Sequence, residues 1–422
     1  MRLQGLWRDH DFVRLWSAST VSVFGALITT TALPFTAILV LGASPSMLGL
    51  LHLAGLLPGF LLGLVAGAWI DRRRRRPVMI VADFARAACL LSIPVAALAG
   101  ALTFAHLLAV AAVVSVLGVV FDVAWQAHLP TVVGRARLVE ANSTVTAAWS
   151  VAEAASFSVG GWLVQALTAP IAVAVNAVTF VVSALFLRGL RTPERDPAAA
   201  RDPGAPVGSL FAEAAEGVRI VWADARLRAL AGANLGMAVS FGTGGAAFLV
   251  FVNQDLGFDP GVLGLIFAIG GVTSFLGAIL AGRMAFLPVG PVMVACFVAA
   301  AVGSALAPLA TTAGVVAVAL LVAQQFVSDP AWTILDINAV SLRQAVTADE
   351  ALGRVNATFR VSDVGGQMVG AVVGGFVGDA FGARWALWVG VAALLAGAVV
   401  LVLSPVRDLR SLPAGDEAGA TA

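Results

Sequence analysis

Gly67-Ala68-Trp69-Ile70-Asp71-Arg72-Arg73-Arg74-Arg75-Arg76 ends the second of many apolar runs in five consecutive arginines. Behind it, Gly55, Gly59, Gly63 and Gly67 recur at every fourth residue. An i, i+4 row without side chains lets a second helix approach closely inside a membrane. The arginines cannot cross a bilayer, so they pin this end of the helix to the cytoplasmic face. A helix packed closely at its middle and anchored by charge at one end suits a part that moves.

The surrounding composition places most of the chain in hydrocarbon. Hydrophobic residues make up 60% of the 422 and charged residues 12%, with a mean hydropathy of +0.95. A soluble chain carries roughly 25% charged residues. A spanning helix needs about 20 apolar residues, and several uncharged runs are long enough for two. These are Leu15 to Ile70, Ala87 to Phe121, Ala154 to Leu187 and Met284 to Ser328. Turn formers interrupt them at Gly42-Ala43-Ser44-Pro45, Gly100, Thr168-Ala169-Pro170 and Thr311-Thr312. With single spans near 229–252, 260–281, 354–379 and 384–404, the count reaches twelve. The expected fold is an all-α membrane protein.

Net charge is +1 and there is no lysine, so the information lies in where the arginines fall. With the N-terminus inside, Arg2, Arg8, Arg14, Arg72 to Arg76, Arg135, Arg137, Arg188 to Arg228, Arg343, Arg354, Arg407 and Arg410 all lie at cytoplasmic ends or loops. Only Arg384 falls clearly outside. That bias sets the orientation, with both termini expected to be cytoplasmic. The N-terminal Met1 to Arg14 lacks a signal-peptide layout, so the first span is expected to be retained. Cys89 and Cys296 sit in apolar spans as small packing residues, and no Cys/His metal spacing occurs.

The second half of the chain repeats the first. Shifted by 215, Leu48-Gly49-Leu50 falls on Leu263-Gly264-Leu265, Gly55 on Gly270, and Ala66-Gly67 on Ala281-Gly282. Shifted by 214, Pro77-Val78-Met79 falls on Pro291-Val292-Met293, Asn142 on Asn356, and Gly160-Gly161 on Gly374-Gly375. Asp122-x-x-Trp125 recurs as Asp329-x-x-Trp332 at a shift of 207. Two pseudo-symmetric six-helix halves are expected: 1–187, then 229–404, with a cytoplasmic tail at 405–422. The Pro-, Asp- and Arg-rich stretch at 188–228 reads as a linker, with an amphipathic helix from Leu210 to Leu227 on the cytoplasmic surface. Glycine seams recur with the repeat, at Gly270 and Gly282 in span eight and at Gly366, Gly370, Gly374 and Gly378 in span eleven. Span five carries a weaker version ending at Gly160. Repeated halves that meet near the midplane are the architecture of alternating-access transporters.

Taken together, these residues resemble the major facilitator superfamily from Trp7 to about Leu412. Its motif after helix two is matched by Gly67, Asp71, Arg72, Arg75 and Arg76, with Arg74 where the family has an inner glycine. The resemblance implies that Asp71 and its arginines latch a cytoplasmic gate against helix eleven, where Arg354, Arg360 and Asp363 are the available partners. Within the superfamily the chain is similar to the enterobactin-exporter and macrolide-efflux branch. The carriers are Arg74-Arg75-Arg76-Pro77-Val78, Ala82-Asp83 with Arg86, Phe121-Asp122-Val123-Ala124, Leu138-Val139-Glu140-Ala141-Asn142 and Gly353-Arg354-Val355-Asn356-Ala357. The antiporter motif of helix five is reduced to its final pair, Gly160-Gly161.

With no acid in the first span, proton coupling needs another carboxylate. Glu153, deep in span five, is the first candidate and Asp122 the second. A membrane carboxylate is costly and must be paired, hydrated or protonated. For Glu153, a protonated side chain bonded to a neighbouring helix is the structural alternative. Asp122 is expected to pair with Arg72 or Arg86. The family's substrate cavity is lined by helices one, four, seven and ten, which nominates Thr29, Trp125, Asn234, Phe241, Gln324, Gln325 and Trp332. Polar and aromatic residues at such positions equally serve as packing contacts. No P-loop and no enzyme signature occurs. The expectation is a secondary transporter acting as a monomer, with no cofactor, no metal and no nucleic-acid partner. It would be a proton-coupled exporter of amphipathic drugs, macrolides or siderophores; an importer or uniporter, or an uncoupled lipid scramblase, are the alternatives.

Overall fold

The computed structural model describes residues 6–70, 73–134, 137–194, 210–284 and 286–411, without the side chains at 63–68, 150, 153, 154, 157 and 210–214. Gly63, Gly67, Asp71, Arg72 and the Glu153 side chain therefore lie outside the described residues. Among those described, all regular structure is helical. The first half holds α1 (His10–Leu41), α2 (Pro45–Ile70), α3 (Arg75–Leu98), α4 (Phe104–Val133), α5 (Leu138–Leu167) and α6 (Ala169–Arg188). After α7 (Leu210–Ala223) come α8 (Ala225–Val250), α9 (Pro260–Arg283), α10 (Val289–Leu309), α11 (Val315–Ala345), α12 (Asp349–Phe381) and α13 (Ala383–Val402). Eleven described helices are long and apolar enough to cross a membrane, and the 30-residue α5 brings the number of long helices to the expected twelve.

Local chemistry sets the ends. The Asp9 carboxylate accepts from the N–H groups of Asp11 and Phe12 at 3.0 and 3.2 Å, which starts α1. Gly42, at φ 62°, ends α1 in the left-handed conformation that glycine adopts without penalty. Asp224 separates α7 from α8 by capping the latter through the N–H groups of Arg226 and Leu227. Burial works to raise the Asp224 pKa, but the bonds from Arg226 and from these backbone donors outweigh it and hold the carboxyl below its usual range.

The chain separates into two compact units. In the first, α1 lies against α5 and α6, and α3 lies against α4 and α6. Its core at the arginine-rich end gathers Phe12, Leu15, Met79, Phe121, Trp125, Leu129 and Leu187. In the second, α8 lies between α12 and α13, and α10 lies against α11 and α13. Its core gathers Leu230, Phe297, Ile334, Leu335, Phe359 and Leu394. The units depart from the sequence boundaries in one symmetric way. Ser44–His52, the start of α2, belongs to the second unit, and Asp259–Ala268, the start of α9, belongs to the first.

Helices α8 and α12 cross closely. A Cβ at Gly370 would sit 2.1 Å from the Val239 carbonyl oxygen, and one at Gly242 would sit 2.1 Å from that of Gln367. Both obstacles are backbone, so neither can rotate away. Gly370→Val is expected to cost about 1–3 kcal/mol by overpacking. The check is thermal unfolding of the detergent-solubilised protein; an unchanged Tm would show that the two helices separate freely.

The amphipathic helix is shorter than expected, ending at Ala223, and its inner face is taken up by protein. Val221 is buried in the second unit's core. A Cβ at Gly217 would meet the Arg354 carbonyl oxygen of α12 at 2.5 Å. Glu216 accepts from Arg354 at 2.7 Å. Val218 and Trp222 face outward. The periodicity thus reports a docked helix with one free face.

Candidate functional site

The first unit carries a charged cluster inside its apolar core. Asp83 and Arg86, one turn apart on α3, form a buried ion pair. The guanidinium plane is held between the Phe121 ring at 4.6 Å and the Phe180 ring at 4.1 Å. Arginine suits this position because its flat, weakly hydrated cation stacks on aromatic faces. Asp122 of α4 lies in the field of Arg86. Of the two partners expected for Asp122, Arg86 acts on it through its charge, with no ion pair between them among the described residues, while Arg72 lies outside the described residues. Trp125 meets Trp149 in a tilted ring contact at 5.9 Å, and its buried indole N–H has no hydrogen-bond partner among the described residues. The Thr29 hydroxyl is committed to a bond from Asn176 across α1 and α6.

The motif arginines Arg75 and Arg76 act within the same unit. Arg75 donates to the Ala127 carbonyl of α4 at 2.8 Å, and Arg76 donates to the Leu187 carbonyl of α6 at 3.0 Å. Leu187 lies in the last turn of α6, where carbonyls carry partial negative charge and cations belong, whereas Ala127 lies further inside α4. Glu194 accepts from the backbone N–H groups of Arg75 and Arg76 at 2.8 and 2.6 Å, capping α3. Glu194 reads in the sequence as the beginning of a linker; in the fold it closes the first unit.

The second unit holds a different arrangement. Asp329, midway along α11, lies over α9 at Gly270, where a Cβ would sit 2.6 Å from its carboxylate oxygen. The Thr273 hydroxyl lies 3.5 Å from the same oxygen. No cation pairs with Asp329 among the described residues. Gln325, one turn earlier, also packs over Gly270, and its carbonyl accepts from Thr273 at 3.1 Å. Trp332 lies between Phe241 of α8 at 5.5 Å and Phe297 of α10 at 6.1 Å. The Asn234 amide nitrogen and the Gln324 amide oxygen are buried with no hydrogen-bond partner among the described residues. Buried polar atoms without partners call for an explanation, and an aromatic pair with a few polar groups is a usual lining for a ligand site. Of the gate residues on α12, Arg354 is paired with Glu216, Asp363 accepts from Gln367 at 3.2 Å, and Arg360 is exposed.

The seam glycines divide by neighbour. Gly366, Gly370 and Gly374 turn toward α8, Gly378 toward Pro45 of α2, Gly161 toward α9, Gly160 toward α1 and Gly59 toward α4. Gly55 and Gly282 have open space where a Cβ would stand.

Residues 15–335 and 235–421 match the Major Facilitator Superfamily. The chain belongs to that superfamily. Over 225 residues it is 32% identical to the multidrug efflux pump Tap of Mycolicibacterium fortuitum, a match spanning 51% of this chain and about half, 53%, of that relative. Among solved structures it is similar to a point mutant of the nucleoside transporter NupG, with a TM-score of 0.75 at 12% identity over 93% of this chain and 99% of that one. A bacterial homologue of the iron transporter ferroportin gives a TM-score of 0.72 at 16% identity over 94% and 99%. At such identities the structures share the fold alone. The protein is a multi-pass membrane protein of this superfamily.

One residue of this major facilitator chain went unnoticed in the sequence because its four histidines are dispersed. His52 of α2 lies beside Gly245 of α8, where a Cβ would be 3.1 Å from Nδ1, and beside the Gln367 amide of α12. Its Nε2 is buried with no hydrogen-bond partner among the described residues. Gln367 is the repeat mate of Glu153 at the shift of 214. The signal available was a histidine within an uncharged run of a spanning helix.

Proposed function

We propose that this transporter is a proton-coupled exporter of small amphipathic compounds such as drugs, macrolides or siderophores. It would sit in the bacterial inner membrane with both termini cytoplasmic and work by alternating access. The observation that carries the reading is Asp329, a carboxylate within a membrane-spanning helix and without a cation among the described residues. Such a group is stable in a membrane when protonated or hydrated, which are the two states of a proton carrier. Glu153 and Asp122 are the further carboxylates of the pathway. Asn234, Gln324 and the Phe241–Trp332 pair would meet the substrate, an aromatic wall with neutral polar groups suited to bulky compounds of low charge. The efflux pump among its relatives supports the outward direction.

The test is proton flux in proteoliposomes loaded with a pH dye, across macrolides, cationic dyes and siderophores, for wild type and Glu153→Gln together. Substrate-dependent proton movement that vanishes in the variant assigns coupling to Glu153. Movement that persists assigns it to Asp329 or Asp122. Substrate transport without any proton movement would overturn antiport and leave a uniporter or importer of the same fold.

A further inference from the structure

Two stretches far apart in sequence, Trp7-Arg8-Asp9-His10-Asp11 and Gly189-Leu190-Arg191-Thr192, meet at the arginine-rich end of the first unit. Leu6 and Leu190 bury their side chains in the core there and fix both stretches to it. The Asp11 carboxylate then joins them. One of its oxygens accepts from Arg14 at 3.2 Å. The other accepts from the N–H groups of Arg191 and Thr192 at 2.9 and 2.6 Å, and from the Thr192 hydroxyl at 2.6 Å. Arg14 also donates to the Gly189 carbonyl at 2.6 Å. The Asp9 carboxylate is engaged in capping α1. Both acids of this corner are therefore satisfied from within the protein.

The cations are not. A cavity of about 550 Å³ lies here, lined by Arg8, Asp9, His10, Asp11, Arg14 and Arg191, and it opens to the surface at the exposed Arg8, His10 and Arg191. Three arginines thus face two carboxylates that are already bonded. The Arg8 and Arg191 guanidiniums have no ion pair or hydrogen bond among the described residues. Beside the cavity, exposed Trp7 meets Trp16 of α1 edge-on at 5.0 Å and Phe12 at 6.3 Å. Tryptophans gather where a membrane meets water, at the level of the lipid headgroups. Unpaired arginines at that level face the phosphates of the bilayer.

We propose that this cavity binds a phosphate group between Arg8 and Arg191, and that its source is the headgroup of an anionic phospholipid such as phosphatidylglycerol. Each guanidinium is a rigid fork of donors that matches phosphate oxygens in pairs. The acyl chains of such a lipid extend into the apolar layer that the tryptophans border, whereas a soluble phosphate gains nothing from them. Bound there, the headgroup ties the start of α1 to the chain that leaves α6. On the orientation proposed above, the lipid belongs to the cytoplasmic leaflet. The site itself stands apart from proton coupling and from the direction of transport.

The test is native mass spectrometry of the full-length, delipidated protein in detergent. It is titrated with phosphatidylglycerol, with phosphatidylcholine as the zwitterionic headgroup, and with inorganic phosphate and glycerol phosphate as soluble sources. Wild type should bind phosphatidylglycerol in preference to phosphatidylcholine. Its affinity should fall about fivefold for each arginine removed in Arg8→Gln and Arg191→Gln, the effect of one basic residue at an anionic membrane surface. The Tm of the lipid-free variants should stay that of wild type, because both side chains are exposed and without partners among the described residues. Arg283→Gln combined with Arg410→Gln removes exposed arginines elsewhere and should leave the affinity almost unchanged. An equal loss in that control would reduce the effect to general charge attraction and overturn the site. Wild-type affinity in the Arg8→Gln, Arg191→Gln double variant would overturn it as well. Displacement of phosphatidylglycerol by inorganic phosphate or glycerol phosphate at equal concentration would overturn the lipid as the source and put a soluble phosphate in its place.

Discussion

Asp329→Asn is expected to abolish substrate-dependent proton movement, with a loss on the order of a hundredfold, the scale on which a positioned proton-transfer group acts. Substrate binding should persist, because the groups nominated to meet the substrate are Asn234, Gln324 and the Phe241–Trp332 pair rather than the carboxylate. Stability should hold or rise. Asparagine keeps hydrogen-bonding capacity toward Thr273 while removing the need to desolvate a charge. The measurement pairs proton flux in proteoliposomes with thermal unfolding of the same preparation. Retained coupling together with a lowered Tm would make Asp329 a packing residue and refute its role as a carrier.

Arg86→Met should produce the largest loss of stability in the first unit, about 3–5 kcal/mol, the usual consequence of removing one partner from a buried ion pair. Methionine fills much of the space between Phe121 and Phe180, so the loss reports the stranded Asp83 charge rather than a cavity. Adding Asp83→Asn should recover part of it, since Asp122, which also lies in the field of Arg86, keeps its charge. Arg86→Lys should fall between the two, because a compact ammonium cannot stack flat on both rings. Denaturant titration of wild type, Asp83→Asn, Arg86→Met and the double variant gives the coupling energy as a double-mutant cycle. A double variant no more stable than Arg86→Met would show that the aromatic sandwich, not the ion pair, holds α3 against α4 and α6.

The architecture was legible because it is written in composition. Uncharged runs of fixed length and turn formers at their midpoints mark helix after helix, and the structure breaks the chain at Gly42, Gly100, Thr168 and the residues after Leu309. The side-chain chemistry was less legible, for identifiable reasons. Glu194 follows a proline in a hydrophilic stretch, and its partners, Arg75 and Arg76, lie more than a hundred residues upstream. The amphipathic period of α7 is the same whether its apolar face meets lipid or, as here, the core beside α12. Asp122 and Asp329 are repeat mates in sequence, yet one lies beside an arginine and the other over a glycine. Periodicity reports which face of a helix is apolar and leaves open what stands opposite it.

The exchange of Ser44–His52 and Asp259–Ala268 between the compact units also bears on modularity. Gene duplication yields two copies free to diverge, but here each copy contributes one segment to the body built mainly by the other. Divergence is therefore constrained in matched pairs: α2 with α12, and α9 with α5. A chimera that fuses the first half of this chain to the second half of a distant relative, joined between α6 and α7, inherits two foreign junctions rather than none. Such hybrids should become functional when the two short exchanged segments are transplanted along with the helices that receive them.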